Sequence, residues 1–171
     1  METYEGRVWL IVDEQGRLID DIDTDMIFHN MYLAITDITE MGQYAFDNLK
    51  GYEDFAKRAQ KGDVIIAGAN FGSGSSRQHA VDCFRALGCS CVAAQSFGAI
   101  YKRNAINSGF PILIVEDINL DALETGDNVV IDTDTGAISK NGTQVGKVQQ
   151  MSTVQKDILK AGNIFEYAKT L

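Results

Sequence analysis

Apolar positions fall into short continuous runs near the start and middle of the chain, with sparser periodic sets between them. Arg7-Val8-Trp9-Leu10-Ile11-Val12 is rich in strand formers, and Asp13-Glu14-Gln15-Gly16 supplies a turn after it. Asp20-Asp21-Ile22-Asp23-Thr24-Asp25 is too acidic for a core and reads as a loop. Met41, Tyr44, Ala45 and Leu49 recur at helical spacing, which predicts a helix capped by Thr39 and broken by Gly51. A second short helix is expected over Glu53–Gln60.

The middle third has the clearest pattern. A strand over Asp63–Ala67 precedes a glycine-rich turn and a helix expected over Ser76–Leu87, with Ala80, Val81, Phe84 and Leu87 on its apolar face and Gly88 as its stop. A strand over Ser90–Ala94 leads to a helix capped by Ser96 and stopped by Gly109, and Pro111–Val115 forms a third strand. Strands and helices alternating through such short connections predict a parallel, right-handed βαβαβ unit. Binding loops in such sheets lie at the carboxyl ends of the strands, where the glycine turn falls.

Beyond it, Asn128–Asp132, Ala137–Ser139 and Thr143–Val148 are short strands separated by Thr135-Gly136 and Asn141-Gly142, a pattern of antiparallel hairpins. A last helix is expected over Ser152–Ala161, ending at Gly162. With no repeat or linker, residues 1–171 read as one α/β domain, and 171 residues suffice for a core of their own.

Charge narrows the partners. Fifteen basic and 24 acidic residues give a net charge of −9, a surface that repels nucleic acid and anionic membranes. An organic acid would need a local cationic pocket. No apolar stretch approaches the roughly 20 residues that span a bilayer. Met1-Glu2-Thr3-Tyr4-Glu5 lacks a signal-peptide pattern, and Cys83, Cys89 and Cys91 are an odd count, so reduced thiols in the cytoplasm are expected.

Candidate chemistry concentrates in Asn70-Phe71-Gly72-Ser73-Gly74-Ser75-Ser76-Arg77-Gln78-His79-Ala80. A glycine turn, two hydroxyls and a guanidinium at a helix start suit an anion, because unpaired N–H groups and the positive end of the dipole converge there. Arg77 adds a planar fork that grips a carboxylate. The plain alternative is a tight turn before a capped helix, but this much donor chemistry at one helix start favours a ligand. No lysine follows the glycines as a Walker loop needs, Arg77 stands where a dinucleotide fingerprint needs its third glycine, and Gln78 replaces the last glycine of a hydrolase elbow.

Asp21-Ile22-Asp23-Thr24-Asp25 begins like a calcium loop, but Met26 and Tyr32 stand where glycine and glutamate are required. Spacing alone makes it an acidic surface turn. The three cysteines do not match a cluster-binding spacing and read as core, so no metal site is expected in this chain. His79 reads as a structural hydrogen-bonding residue, and Lys102-Arg103-Asn104 as an exposed helix face.

Taken together, Asp23-Thr24-Asp25, Tyr32-Leu33, Gly62-Asp63, the Asn70–Ala80 segment, Ser96-Phe97 and Arg103-Asn104-Ala105-Ile106-Asn107 resemble the small-subunit family of 3-isopropylmalate dehydratase, the free-standing counterpart of the swivelling domain of aconitase. The resemblance implies a three-layer β/β/α swivelling fold, with the parallel βαβαβ unit as its core and the hairpins at its C-terminal end. It further implies a large-subunit partner carrying a [4Fe-4S] cluster on three cysteines, whose iron would act as a Lewis acid on the departing hydroxyl. This chain itself would hold no cofactor. Ser75 matches the family's proton-abstracting serine, and Arg77 its carboxylate-holding arginine. Asp25 matches a supporting aspartate, with Thr24 beside it and Ser76 in the site. The activity implied is a hydro-lyase acting on a small dicarboxylic hydroxy acid.

In the family a loop after Asp-Thr-Asp distinguishes substrates, and here it reads Tyr32-Leu33-Ala34-Ile35. The homoaconitase type carries arginine where Ala34 stands, so an apolar substituent is expected in place of a third carboxylate. Many relatives have Ile-Ile-Pro between Asp-Thr-Asp and the Tyr-Leu pair, where this chain has Ile27-Phe28-His29-Asn30-Met31, and loss of the proline is expected to free φ and alter the loop's path. That departure keeps 2,3-dimethylmalate dehydration open beside isopropylmalate, and a non-catalytic organic-acid-binding module is the alternative from another class.

Overall fold

The computed structural model describes residues 2–171. In chain order its elements are β1 (Thr3–Leu10), α1 (Thr24–Ile27), α2 (Ile38–Met41), α3 (Phe55–Arg58), β2 (Val64–Ala67), α4 (His79–Ala86), β3 (Cys91–Ala94), α5 (Ala99–Ser108), β4 (Ile112–Ile118), β5 (Asn128–Asp132), β6 (Ala137–Lys140), β7 (Thr143–Val148), α6 (Thr153–Ala161) and α7 (Ile164–Ala168). Short 3₁₀ turns cover Asn30–Tyr32, Gly42–Tyr44 and Leu120–Ala122.

The strands close into a barrel in the order β1-β2-β3-β4-β7-β6-β5. From β2 to β4 the pairing is parallel, with α4 and α5 as the crossovers. The C-terminal hairpins are not an appendage to that unit, and here the expectation of a separate parallel core is corrected. They continue the same sheet and close it, because β1 and β4 each serve two neighbours. Thr3–Arg7 pairs antiparallel with β5, while Val8–Leu10 pairs parallel with β2. Likewise Ile112–Ile114 runs parallel to β3, and the register shifts after Val115 as the strand turns antiparallel to β7. Gly6 sits at the bend in β1, where a Cβ would collide with the Gly62 carbonyl.

Period-two alternation explains why the middle strands are apolar throughout. Val8, Leu10, Val64, Ile66, Cys91, Ala93, Leu113 and Val115 point into the barrel with Val129, Ile131 and Ile138. Their neighbours Trp9, Ile11, Ile65, Ala67, Val92, Ala94 and Ile112 point outward into a second cluster, against Phe28, Phe46, Phe55, Phe71 and Phe84. Helices therefore coat the parallel half of the barrel. Asp63, 1% exposed, sits among these elements and accepts from Arg7, the Trp9 indole and the Gln60 N–H.

Several boundaries differ from the sequence reading. No helix spans Met41–Leu49: α2 ends at Met41, and Phe46, with φ +61°, cannot continue a right-handed helix. Asp37, not Thr39, caps α2 by accepting the Thr39 N–H. Glu53–Gln60 contracts to α3. The acidic loop contains α1, capped by Asp23, and α7 follows α6 after a new cap at Asn163.

Candidate active site

β2 ends at Ala67, and the chain then makes a left-handed zigzag: Asn70, Gly72 and Gly74 have φ of +58°, +78° and +100°. Gly72 must be glycine for a second reason, since a Cβ there would strike the Tyr101 ring. The acidic loop braces this turn. Asp20 accepts the Ala69 N–H at 2.7 Å, Asn70 Nδ2 donates to Asp21 at 2.9 Å, and Asp23 caps α1 through the Met26 N–H at 2.8 Å. These carboxylates answer protein donors, and no group of His, Cys, Asp and Glu placed to hold a metal ion occurs among the described residues.

α4 begins at His79, not at Ser76. Ser76 and Arg77 therefore lie with Ser75 in the turn ahead of the helix, which corrects the expected helix start at Ser76. After His79 the helical N–H groups are already engaged: Ala80 donates to the Arg77 carbonyl, and Val81 and Asp82 to that of Gln78. The donors left over belong to the turn. Among the described residues, no backbone N–H from Gly74 to His79 has an acceptor within the chain. Such a run forms an anion-binding concavity.

Arg77 is aimed by its surroundings. Nη1 donates to Asp25 Oδ1 at 3.1 Å and to the Phe28 carbonyl at 3.1 Å, which uses both of its hydrogens. The Nε–Nη2 edge, the one that matches a carboxylate, has no acceptor among the described residues. Asp25 also accepts the Asn30 N–H at 2.8 Å and Asn48 Nδ2 at 3.2 Å. The Asn30 N–H, aided by the Arg77 guanidinium, holds Asp25 below the usual carboxylate range against the opposing effect of partial burial.

Ser75 is exposed and makes no side-chain hydrogen bond among the described residues, whereas Ser76 Oγ accepts Asn104 Nδ2 from α5 at 3.4 Å. Thr24 is 2% exposed and lies beneath Gly74, where an added Cβ would meet its Oγ1 at 3.5 Å. It supports the turn from below. A cleft of about 370 Å³ opens beside the corner, lined by Ile38, Gln78, Asp82, Asn104 and Phe165 among others.

The loop expected to choose the substrate lies next to Arg77. Tyr32 stacks on Tyr44 at 3.8 Å, Leu33 and Ile35 are partly buried, and Ala34 is exposed. His29, in the segment that lacks the relatives' proline, adopts φ −61°. That is an angle proline itself takes, so this backbone angle alone does not demand a residue other than proline. The His29 ring replaces the lost rigidity by accepting the Met31 N–H at Nδ1, 3.0 Å away. Asn48 and the Asn30 N–H were not anticipated from sequence; neither carries a motif.

Cys83, Cys89 and Cys91 are buried; burial pushes Cys89 up to about 12 and raises the other two as well. With Cys91 inside the barrel and Cys83 and Cys89 in the helical coat, they form no group placed to hold a metal ion among the described residues.

A mixed barrel with a left-handed glycine turn and an aimed arginine at the ends of its parallel strands is an aconitase-type C-terminal domain; the family described by that name matches residues 15–117. The chain is 41% identical to the 3-isopropylmalate dehydratase small subunit of Caldicellulosiruptor bescii over 152 residues, covering 88% of this chain and 89% of that one. It is 38% identical to small subunit 1 of the same enzyme from Archaeoglobus fulgidus over 167 residues, 97% of each chain. The crystal structure of 3-isopropylmalate dehydratase from Methanocaldococcus jannaschii matches with a TM-score of 0.82 at 36% identity, over 99% of this chain and 95% of that one. The chain belongs to the family of 3-isopropylmalate dehydratase small subunits.

Proposed function

We propose that this chain is the small subunit of a heteromeric hydro-lyase that dehydrates a 2-alkylmalate and rehydrates the resulting unsaturated diacid. The observation that carries this reading is the free Nε–Nη2 edge of Arg77, fixed through Nη1 and set two residues from Ser75 in a turn of unpaired N–H groups. Arg77 holds one substrate carboxylate by that edge. Ser75 takes the proton from the carbon next to the one bearing the hydroxyl. The electrons of the broken C–H bond become the double bond as hydroxide leaves the neighbouring carbon. A serine alkoxide is a strong base that water disfavours, and the surrounding N–H groups and the guanidinium supply compensating positive potential.

The corner is open, since Gly74, Ser75 and Ser76 are all exposed. A second chain must cover it to exclude water. In this reading that chain is a large subunit holding the [4Fe-4S] cluster, for which the described residues of this chain offer no ligand group. The assembly would work in the cytoplasm. The −9 charge and the absence of any helix long and apolar enough to cross a membrane among the described residues direct the reading towards neither nucleic acid nor membrane.

The substrate's distinguishing group is apolar. No lysine or arginine occurs between Arg17 and Lys50, the stretch that contains the Tyr32-Leu33-Ala34-Ile35 loop, so this chain offers a third carboxylate no counter-ion there.

The test is reconstitution with an iron–sulfur large subunit of the same enzyme family, assayed against 2-alkylmalates and homocitrate. The complex is expected to turn over the alkylmalates in preference to the tricarboxylate, and the isolated chain to be inactive. Ser75→Ala should lower kcat by about 10²–10⁴-fold with KM little changed. Arg77→Lys should raise KM roughly ten- to hundredfold. Wild-type turnover by the Ser75→Ala complex would defeat the mechanism, and organic-acid binding without any partner would favour the non-catalytic module.

A further inference from the structure

The loop Tyr32–Ile35 and the turn Ser75–Arg77 are far apart in sequence, yet substrate choice requires them to hold one register. The two are tied by one side chain. His79, the first residue of α4, places Nε2 at 2.8 Å from the Ile35 carbonyl. A carbonyl only accepts, so Nε2 carries the proton and donates. The same ring lies against Phe28, with centroids 5.2 Å apart and planes tilted by 32°. Phe28 in turn contributes the carbonyl that orients Arg77 Nη1. The loop's own hydrogen bonds are local: Tyr32 N–H to His29 O, Leu33 N–H to Asn30 O and Ile35 N–H to Tyr32 O. These shape the loop but do not position it against α4.

We propose that His79 is the positioning residue that sets the substrate loop against the carboxylate corner, so that discrimination among alkyl substituents depends on its hydrogen bond to Ile35. The role in discrimination rests on the function proposed above; the clamp on the loop does not. Phe28 and the Tyr32–Tyr44 stack supply an apolar bed along which the loop would otherwise slide. A directional bond at its far end fixes the register.

Two substitutions of like polarity separate the bond from mere packing. In His79→Gln the side-chain amide nitrogen reaches the place of Nε2, while in His79→Asn it stops at the place of Nδ1. Hydrogen exchange in the isolated chain reads the clamp. His79→Asn should speed exchange at Leu33 and Ile35 by about tenfold while the α4 amides of Cys83–Ala86 stay as in the wild type, and His79→Gln should restore the loop. In the reconstituted complex, the ratio of kcat/KM for isopropyl- over methyl-substituted malate should fall in His79→Asn and recover in His79→Gln. Should His79→Asn fail to fold, His79→Leu, which refills the space against Phe28, takes its place. Unchanged loop exchange in His79→Asn, or in the His79→Leu that replaces it, or equal loosening of loop and α4, would overturn the proposal. A wild-type complex that dehydrates no malate derivative would defeat the proposed function, and the exchange measurement would still decide the clamp.

Discussion

Asp25 joins three segments: its own short helix α1, the Asn30 turn and the Arg77 side chain, with Asn48 closing from a fourth side. Its depressed pKa has a definite consequence. A carboxyl held lower in the folded chain than in the unfolded one contributes stability above the unfolded value, and that contribution is lost as pH falls through the folded value. Asp25→Asn should therefore flatten the acid limb of the stability curve below about pH 4, near the ordinary aspartate pKa, as read by urea unfolding across a pH series. At neutral pH the same change removes the carboxylate charge beside Arg77 Nη1, which keeps its bond to the Phe28 carbonyl. At this scale the guanidinium and the glycines were legible, because few residue types supply a planar fork or a positive φ. The partners of Asp25 were not: a backbone N–H leaves no mark in a sequence, and Asn48 lies 23 positions away.

Among elements, the strands were read more reliably than the helices, for a physical reason. Both faces of β2 and β3 are buried, so their runs are apolar without interruption. The short helices obey tertiary demands instead. Ser96 was expected to cap the helix after β3, but its hydroxyl accepts the Asn70 N–H at 2.7 Å and α5 starts three residues later, after Gly98. Phe46, left-handed and fully buried, ends a pattern that looked helical, and its N–H goes to the Ile27 carbonyl. The β6–β7 hairpin was legible from Asn141-Gly142 alone: both residues have positive φ, +52° and +79°, as a two-residue type I′ turn requires. A side chain at Gly142 meets nothing within 4 Å, so Gly142→Ala isolates the backbone term. It should destabilise the chain by about 1–2 kcal/mol in chemical denaturation and leave the fold intact.

For the whole molecule, period and charge gave the fold class but not the closure. Nothing in the pattern of β1 announces that its halves serve different partners, because alternation is the same for parallel and antiparallel pairing. The barrel also explains the thiols. Cys91 points into it and Cys83 and Cys89 into the helical coat, all raised by burial, so native protein at pH 8 should resist alkylation and denatured protein should react fully, as mass spectrometry would count. The sharing of β1 has a temporal side as well. As the chain leaves the ribosome, Val8–Leu10 can find β2 early, but Thr3–Arg7 has no partner until Asn128–Asp132 has emerged. Strand β1 is thus left half-paired until Asn128–Asp132 has been made, and the barrel cannot close before then.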